Sequence, residues 1–174
     1  PAAVRVWLGV SSSSTAVVAF ATAKGIVVVD TLGFPKVDRK LRKIIARELG
    51  RDDFAVLINT HEHRDHTGGN AAYADCTIVA HALCGAGIKA NQDRRQQSCE
   101  WIRTRTGELR KELKTPGKEA EALKLREQLT VSELNLEALE DEAPLSFPTR
   151  TFTDRMTLDM GDTTFELYYT GGMH

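Results

Sequence analysis

Residues 60–70, Thr-His-Glu-His-Arg-Asp-His-Thr-Gly-Gly-Asn, gather His61, His63 and His66, three of the five histidines in the chain, around Asp65. Imidazole nitrogen and carboxylate oxygen are the donors that zinc accepts, at about 2.0–2.2 Å. The apolar run Phe54–Ile58 leads straight into this segment. A loop leaving a strand can turn alternate side chains the same way, so His61 and His63 can grip one ion. Asp65 and His66 come a turn later and can face a second. Gly68 and Gly69 let the backbone curl tightly afterwards. His61-Glu62 begins an H-E-x-x-H pattern, but its fifth position is Asp65. A helix-borne zincin pair is therefore absent, and the glycines argue for a loop. A surface loop that merely happens to hold histidines explains the concentration poorly.

Other chemistry-bearing residues are weaker candidates. His81 stands alone after the run Thr77–Ala80 and reads as structural. Cys84 and Cys99 lie far from the cluster in sequence. Glu62 and Arg64 alternate with the ligands and are expected to point away, Arg64 with an anionic substrate group as its alternative partner. Cys76, Cys84 and Cys99 are an odd set without a C-x-x-C pair, which gives no disulfide framework. Free thiols fit a reducing compartment such as the cytoplasm. An exported form with its signal removed is the alternative.

The elements that must position the cluster follow from periodicity. Val4, Val6 and Leu8 alternate with polar or bulky neighbours, Ala16–Ala21 follows a serine turn, and Ile26–Val29 is a continuous β-branched run ending at Asp30. Residues 36–49 carry Val37, Leu41, Ile44, Ile45 and Leu49 at helical spacing, with Gly50 where a C-terminal cap belongs. Thr151–Leu158 and Thr163–Tyr169 alternate around Asp159-Met160-Gly161-Asp162, a hairpin signal. The order of strands and helix predicts an α/β protein with a sheet covered by helices.

Residues 92–142 differ. Cys99, Ile102, Thr106, Leu109 and Leu113 step by three and four, as do Ala122, Leu125, Leu129, Ser132, Leu136 and Leu139. Thr115-Pro116-Gly117 separates them as a turn, which predicts an antiparallel helical hairpin. Thr130-x-x-Glu133 is alternatively a capping box that restarts the second helix. From Arg94 to Lys118 there are eight basic and three acidic residues; from Glu119 to Glu142 there are eight acidic and two basic. The arm is read as a solvated excursion, with a lid or a dimerisation arm as alternatives. Three regions are thus expected: 1–91 with the metal loop, 92–142 as the inserted hairpin, and 143–174 as strands returning to the metal site.

H-x-H-x-D-H after a strand resembles the metallo-β-lactamase superfamily of metallohydrolases. Val28-Val29-Asp30-Thr31 resembles its upstream strand-end Asp-Thr segment, and Gly171-Gly172-Met173-His174 resembles its Gly-His element. The resemblance implies an αββα sandwich of which this chain holds the N-terminal half, with the 92–142 hairpin unexplained. It implies that His61, His63 and His174 bind a first metal, that Asp65 and His66 belong to a second site, and that Asp30 supports the loop from below. It implies zinc, one or two ions, with iron or manganese as alternatives. Asp65 is the expected catalytic residue. It would orient a metal-activated hydroxide that attacks an ester, thioester, lactone or lactam-type bond. Since no residue follows His174 here, the expectation is a fragment short of second-site ligands, its inner sheet face bare unless a second chain or a homo-oligomer covers it.

Two readings compete with the hydrolase. One is a non-catalytic half-domain that binds metal or a partner; the other is an iron-dependent oxidoreductase on the same motif. Composition narrows the partners. The 174 residues carry a net charge of −1, with 41% hydrophobic and 27% charged residues. Such a chain is globular, lacks a global basic field for nucleic acid, and has no apolar run of membrane-spanning length. The expected partner is a small-molecule substrate.

Overall fold

The computed structural model describes residues 3–8, 15–93, 95–115, 119–140 and 145–171. The chain divides into two compact units, residues 1–90 with 144–174, and residues 91–143.

The first unit is built on a six-stranded sheet in the order β1-β2-β3-β4-β5-β6. β1 (Ala3–Leu8), β2 (Ala16–Thr22) and β3 (Gly25–Val29) are antiparallel neighbours, and β4 (Phe54–Ile58), β5 (Thr77–His81) and β6 (Arg150–Phe152) extend the sheet in parallel. Register pairs Val29 with Ile58 and Ile58 with Val79. The carboxyl ends of β3, β4 and β5 are therefore adjacent, and Asp30, Asn59 and His81 emerge side by side. That edge is where open α/β sheets place ligands.

The apolar runs are continuous because both sheet faces are buried. Ile26, Val28, Leu57 and Ile78 pack toward α1 (Pro35–Leu49), while Val27, Val56, Ile58 and Val79 face the other way. α1 starts with Pro35, which lacks the N–H a first turn leaves unused. It ends at Gly50, whose φ of 65° lets its N–H reach the carbonyls of Ala46 and Arg47. Leu41 and Ile45 enter the core, each burial worth roughly 1.5–3 kcal/mol. Val37 and Ile44, expected on that face, are 37% and 38% exposed. They sit at the edges of the stripe, where the sheet no longer reaches.

The opposite sheet face is not bare, contrary to expectation. β7 (Arg155–Asp159) and β8 (Thr164–Tyr168) form a separate antiparallel pair. Met156, Leu158, Phe165 and Leu167 alternate toward the first sheet, and the Phe165 ring meets Phe20 edge-on at 5.0 Å. The expected single strand 151–158 is thus two strands in two sheets. Arg150–Phe152 pair with Val79–His81, and the chain bends at Thr153-Asp154 so that Met156 and Leu158 can face back. The β7–β8 turn closes by Met160 N–H donating to Thr163 O at 2.8 Å, with Gly161 at a φ of 89°.

Two helical segments differ from the sequence reading. Arg64–Thr67, read as loop, is a single turn, α2. The turn is closed from within the motif: His66 and Thr67 donate their N–H groups to His63 O, and the Thr67 hydroxyl donates back to the carbonyls of Glu62 and His63. Immediately after β5 comes α3 (Ala82–Asp93), a helix the sequence reading left unassigned.

In the second unit, α4 (Arg95–Glu112) and α5 (Ala122–Glu140) run antiparallel. Leu136 packs on Cys99 and Ile102, Thr106 Oγ1 meets Ser132 Oγ at 2.8 Å, and Arg110 pairs with Glu133 at 2.7 Å. Helix α5 is continuous through Thr130, whose hydroxyl bonds Arg126 O within the helix. The capping-box alternative is therefore excluded. Pro116 and Gly117 of the expected turn lie outside the described residues. Cys76, Cys84 and Cys99 are buried free thiols. No helix among the described residues is long and apolar enough to cross a membrane.

Candidate metal centre

The metal loop is held by backbone contact with the segment after β3. Gly33, at a φ of 79°, lies so close to the loop that a Cβ there would come within 2.8 Å of Arg64 O and Asp65 Cα. A Cβ on Gly68 would come within 2.5 Å of Gly33 O. Thr31 clasps the two segments: its N–H and its hydroxyl both donate to His66 O, and Gly69 N–H donates to Thr31 Oγ1 at 3.0 Å. Beneath, the buried Asp38 carboxyl accepts the N–H groups of Leu32 and Phe34. Burial pushes its pKa up to about 7. On the far side Asn59 and Asn70 exchange amide hydrogen bonds at 2.9–3.0 Å, and Asn59 also donates to His66 O.

Asp30 is the hub. It is buried and adopts a φ of 61°, the left-handed region that a non-glycine residue occupies only under constraint. Its Oδ1 accepts Thr60 N–H at 2.8 Å, and its Oδ2 accepts Thr60 Oγ1 at 2.7 Å and meets His66 Nδ1 at 2.9 Å. A carboxylate only accepts, so His66 Nδ1 carries a proton, which leaves Nε2, 3.5 Å from Asp65 Oδ2, as the nitrogen that can take a metal once the ring is neutral. The same logic passes through Thr60. Its hydroxyl proton is committed to Asp30, so at 3.0 Å its oxygen accepts from His61 Nδ1, which leaves the lone pair of His61 on Nε2. One carboxylate thereby sets the tautomer of two imidazoles, the arrangement that outer-shell carboxylates give metal-binding histidines. Asp30 also raises the His66 pKa by bonding its charged form.

The structure brings the rings of His61, His63 and His66 near one another. The ring centre of His61 is 4.6 Å from that of His63 and 4.1 Å from that of His66. Thr15 Oγ1 donates to Asp65 Oδ2 at 3.1 Å. His174 lies outside the described residues. Among the described residues no three His, Cys, Asp or Glu side chains form a group that could hold a metal ion as placed. By type the donors suit zinc, but the His61 ring stands nearer His66 than His63, so the expected division into a His61–His63 site and an Asp65–His66 site is not separated by these distances. Glu62 lies against α3, where a Cβ on Gly87 would fall 2.3 Å from its Cγ, and the Arg64 guanidinium sits over the Phe34 ring at 5.4 Å. His81 is structural: Leu83 N–H donates to its Nδ1 and its Nε2 meets Thr153 O at 3.0 Å. Cys84 is buried, and its thiol is pushed up to about 12.

Sequence reasoning missed Thr15, Asp38 and the roles of Asn59, Thr60 and Asn70. Asp38 had a signal, a carboxylate on the apolar face of an amphipathic helix. Asn59 and Asn70 had one too, as amides bracketing the motif. Thr15 had none.

Two solved structures share the fold. The subclass B3 metallo-β-lactamase BJP-1 of Bradyrhizobium japonicum is 19% identical over 86% of this chain and 43% of its own, with a TM-score of 0.50. The metallo-β-lactamase of Pontibacter korlensis is 18% identical over 99% of this chain and 62% of its own, with a TM-score of 0.54. The chain thus spans about half the length of these solved structures. No curated protein matches it. The family model of the metallo-β-lactamase superfamily matches residues 8–173. With the H-x-H-x-D-H loop seated at the carboxyl edge of the sheet, the chain belongs to the metallo-β-lactamase superfamily.

Proposed function

We propose that this chain carries the metal loop of a zinc-dependent hydrolase acting on ester, thioester, lactone or lactam-type bonds. The observation that supports it is Asp30, which leaves Nε2 as the nitrogen of His61 and His66 that can take a metal while their rings stand 4.1 Å apart. His61, His63 and His174 would hold one ion; Asp65 and His66 would contribute to a second. Bound there, zinc supplies a water of lowered pKa and a Lewis acid for the oxygen of the scissile group. Asp65 is the catalytic carboxylate. It accepts the proton of the attacking water and returns it to the leaving atom. Thr15 holds Asp65 Oδ2, which keeps the carboxyl from rotating. Asp30, through Thr60, keeps the imidazoles in the ligand tautomer.

The test is zinc content and turnover of the full chain. After zinc reconstitution and dialysis, one to two equivalents are expected, with hydrolysis of a chromogenic ester or lactam. Asp65→Asn is expected to lower kcat at least a hundredfold. A protein that retains no zinc overturns the proposal. Zinc uptake without turnover supports the non-catalytic binding reading instead.

A further inference from the structure

A cleft of about 360 Å³ opens beside the metal loop, and its walls differ in chemistry. One part of its lining is His61, Glu62 and His63 of the loop; the other includes Leu83, Phe152, Tyr168 and Tyr169. The second wall is apolar and open, with Leu83 63%, Tyr168 58% and Tyr169 47% exposed. It is also built rigidly. Tyr169 lies flat on His81, ring centres 4.0 Å apart and planes at 12°, and its backbone N–H is tied to Asp154 O at 2.8 Å. His81 cannot turn away, because both ring nitrogens are bound to backbone groups and the Phe152 ring meets it edge-on at 5.6 Å. No lysine or arginine among the described residues lines the cleft. A small concave site with a preset aromatic surface, a carboxylate at Glu62 and no such cation suits a flat group of a small molecule that carries no negative charge.

We propose that Tyr169, seated on His81, selects substrates that carry an aromatic or similarly flat, uncharged acyl group next to the bond hydrolysed. This deepens the hydrolytic reading and rests on it. The ring of such a group would stack beside Tyr169 while its carbonyl reaches the His61 side of the cleft.

Two p-nitrophenyl esters with a common leaving group test it on the zinc-loaded full chain: the phenylacetate and the acetate. The phenylacetyl ester is expected to have a kcat/KM at least tenfold higher. In Tyr169→Ala that preference is expected to fall at least fivefold, through KM; in Tyr169→Phe, which keeps the ring, it is expected to persist. Phenylacetamide supplies a readout free of turnover. Followed by the tyrosine ring signals in NMR, its Kd is expected to rise at least fivefold in Tyr169→Ala. Equal preference in the native protein and Tyr169→Ala overturns the proposal, as does an unchanged Kd for phenylacetamide. Turnover of both esters without preference removes this proposal alone. Absence of turnover with Tyr169-dependent binding of phenylacetamide removes the hydrolytic reading and sustains the aryl-binding wall.

Discussion

The exits of β4 and β5 lie side by side on one sheet edge, and each presents histidine, yet the two sites do opposite things with it. At the end of β4, His61 and His66 each have Nδ1 committed to an acceptor that Asp30 controls, so Nε2 is the nitrogen left over. At the end of β5, His81 spends Nδ1 on Leu83 N–H and Nε2 on Thr153 O. An imidazole has two nitrogens. With one anchored it is a ligand on a fixed axis; with both anchored it is a structural strut. The strut here has its own use, because it holds the ring of Tyr169 flat at the rim of the cleft.

Removing the hub breaks the contrast most. Asp30→Ala is expected to weaken zinc binding roughly 10–100-fold, read by chelator competition. An unchanged zinc affinity would show that the tautomers are set elsewhere. Next comes the backbone clasp. Gly68→Ala drives a Cβ toward Gly33 O and is expected to cost roughly 1–3 kcal/mol in urea unfolding. A variant as stable as the parent would mean that the two segments can part at no cost.

The histidines themselves sharpen the comparison. His81→Ala is expected to lower stability by about 1–2 kcal/mol while zinc content stays the same. His66→Ala is expected to lower the zinc content and also to destabilise the metal-free protein, because the buried Asp30 carboxylate loses a partner. Equal zinc loss in both variants would refute the division.

Asp38, beneath the clasp, should reveal itself through pH. Its folded pKa of about 7 lies above the unfolded value of 3.8, so the folded state holds the proton more tightly. The stability Asp38 contributes is then fully present below about pH 4 and is lost as pH rises to and through 7. Asp38→Asn is expected to flatten that slope in the metal-free protein, and an identical slope in the variant would assign it to other groups. The smallest effect is expected at Thr15→Val, which removes one hydrogen bond to Asp65. About 0.5–1.5 kcal/mol of stability and a several-fold loss of kcat are expected, measured by thermal unfolding and steady-state kinetics.

Periodicity made much of the architecture readable. Ile26–Val29 and Phe54–Ile58 are strands buried on both faces. The alternation around Asp159–Asp162 is the β7–β8 hairpin, and in the arm Cys99, Ile102, Thr106 and Leu109 recur at three-and-four spacing and are buried. Elements whose cause is non-local were less readable. The bend at Thr153-Asp154 exists because Met156 and Leu158 have a second sheet to make, and no local pattern separates them from Thr151 and Phe152. The turn Arg64–Thr67 is helical against its glycine-flanked composition because His63 O accepts the N–H groups of His66 and Thr67 and the Thr67 hydroxyl.

The kinds of donor atom the loop can offer were readable from the sequence alone. Three imidazoles and a carboxylate within residues 61–66, placed after a buried strand, admit few chemistries, and that order of residue types is a local property of the chain. The fate of each nitrogen was decided only by tertiary structure. Asp30 lies 36 residues from His66, and Thr153 lies 72 residues from His81. Whether a histidine keeps a lone pair for a metal or gives it to the backbone depends on which distant group the sheet brings within hydrogen-bonding range.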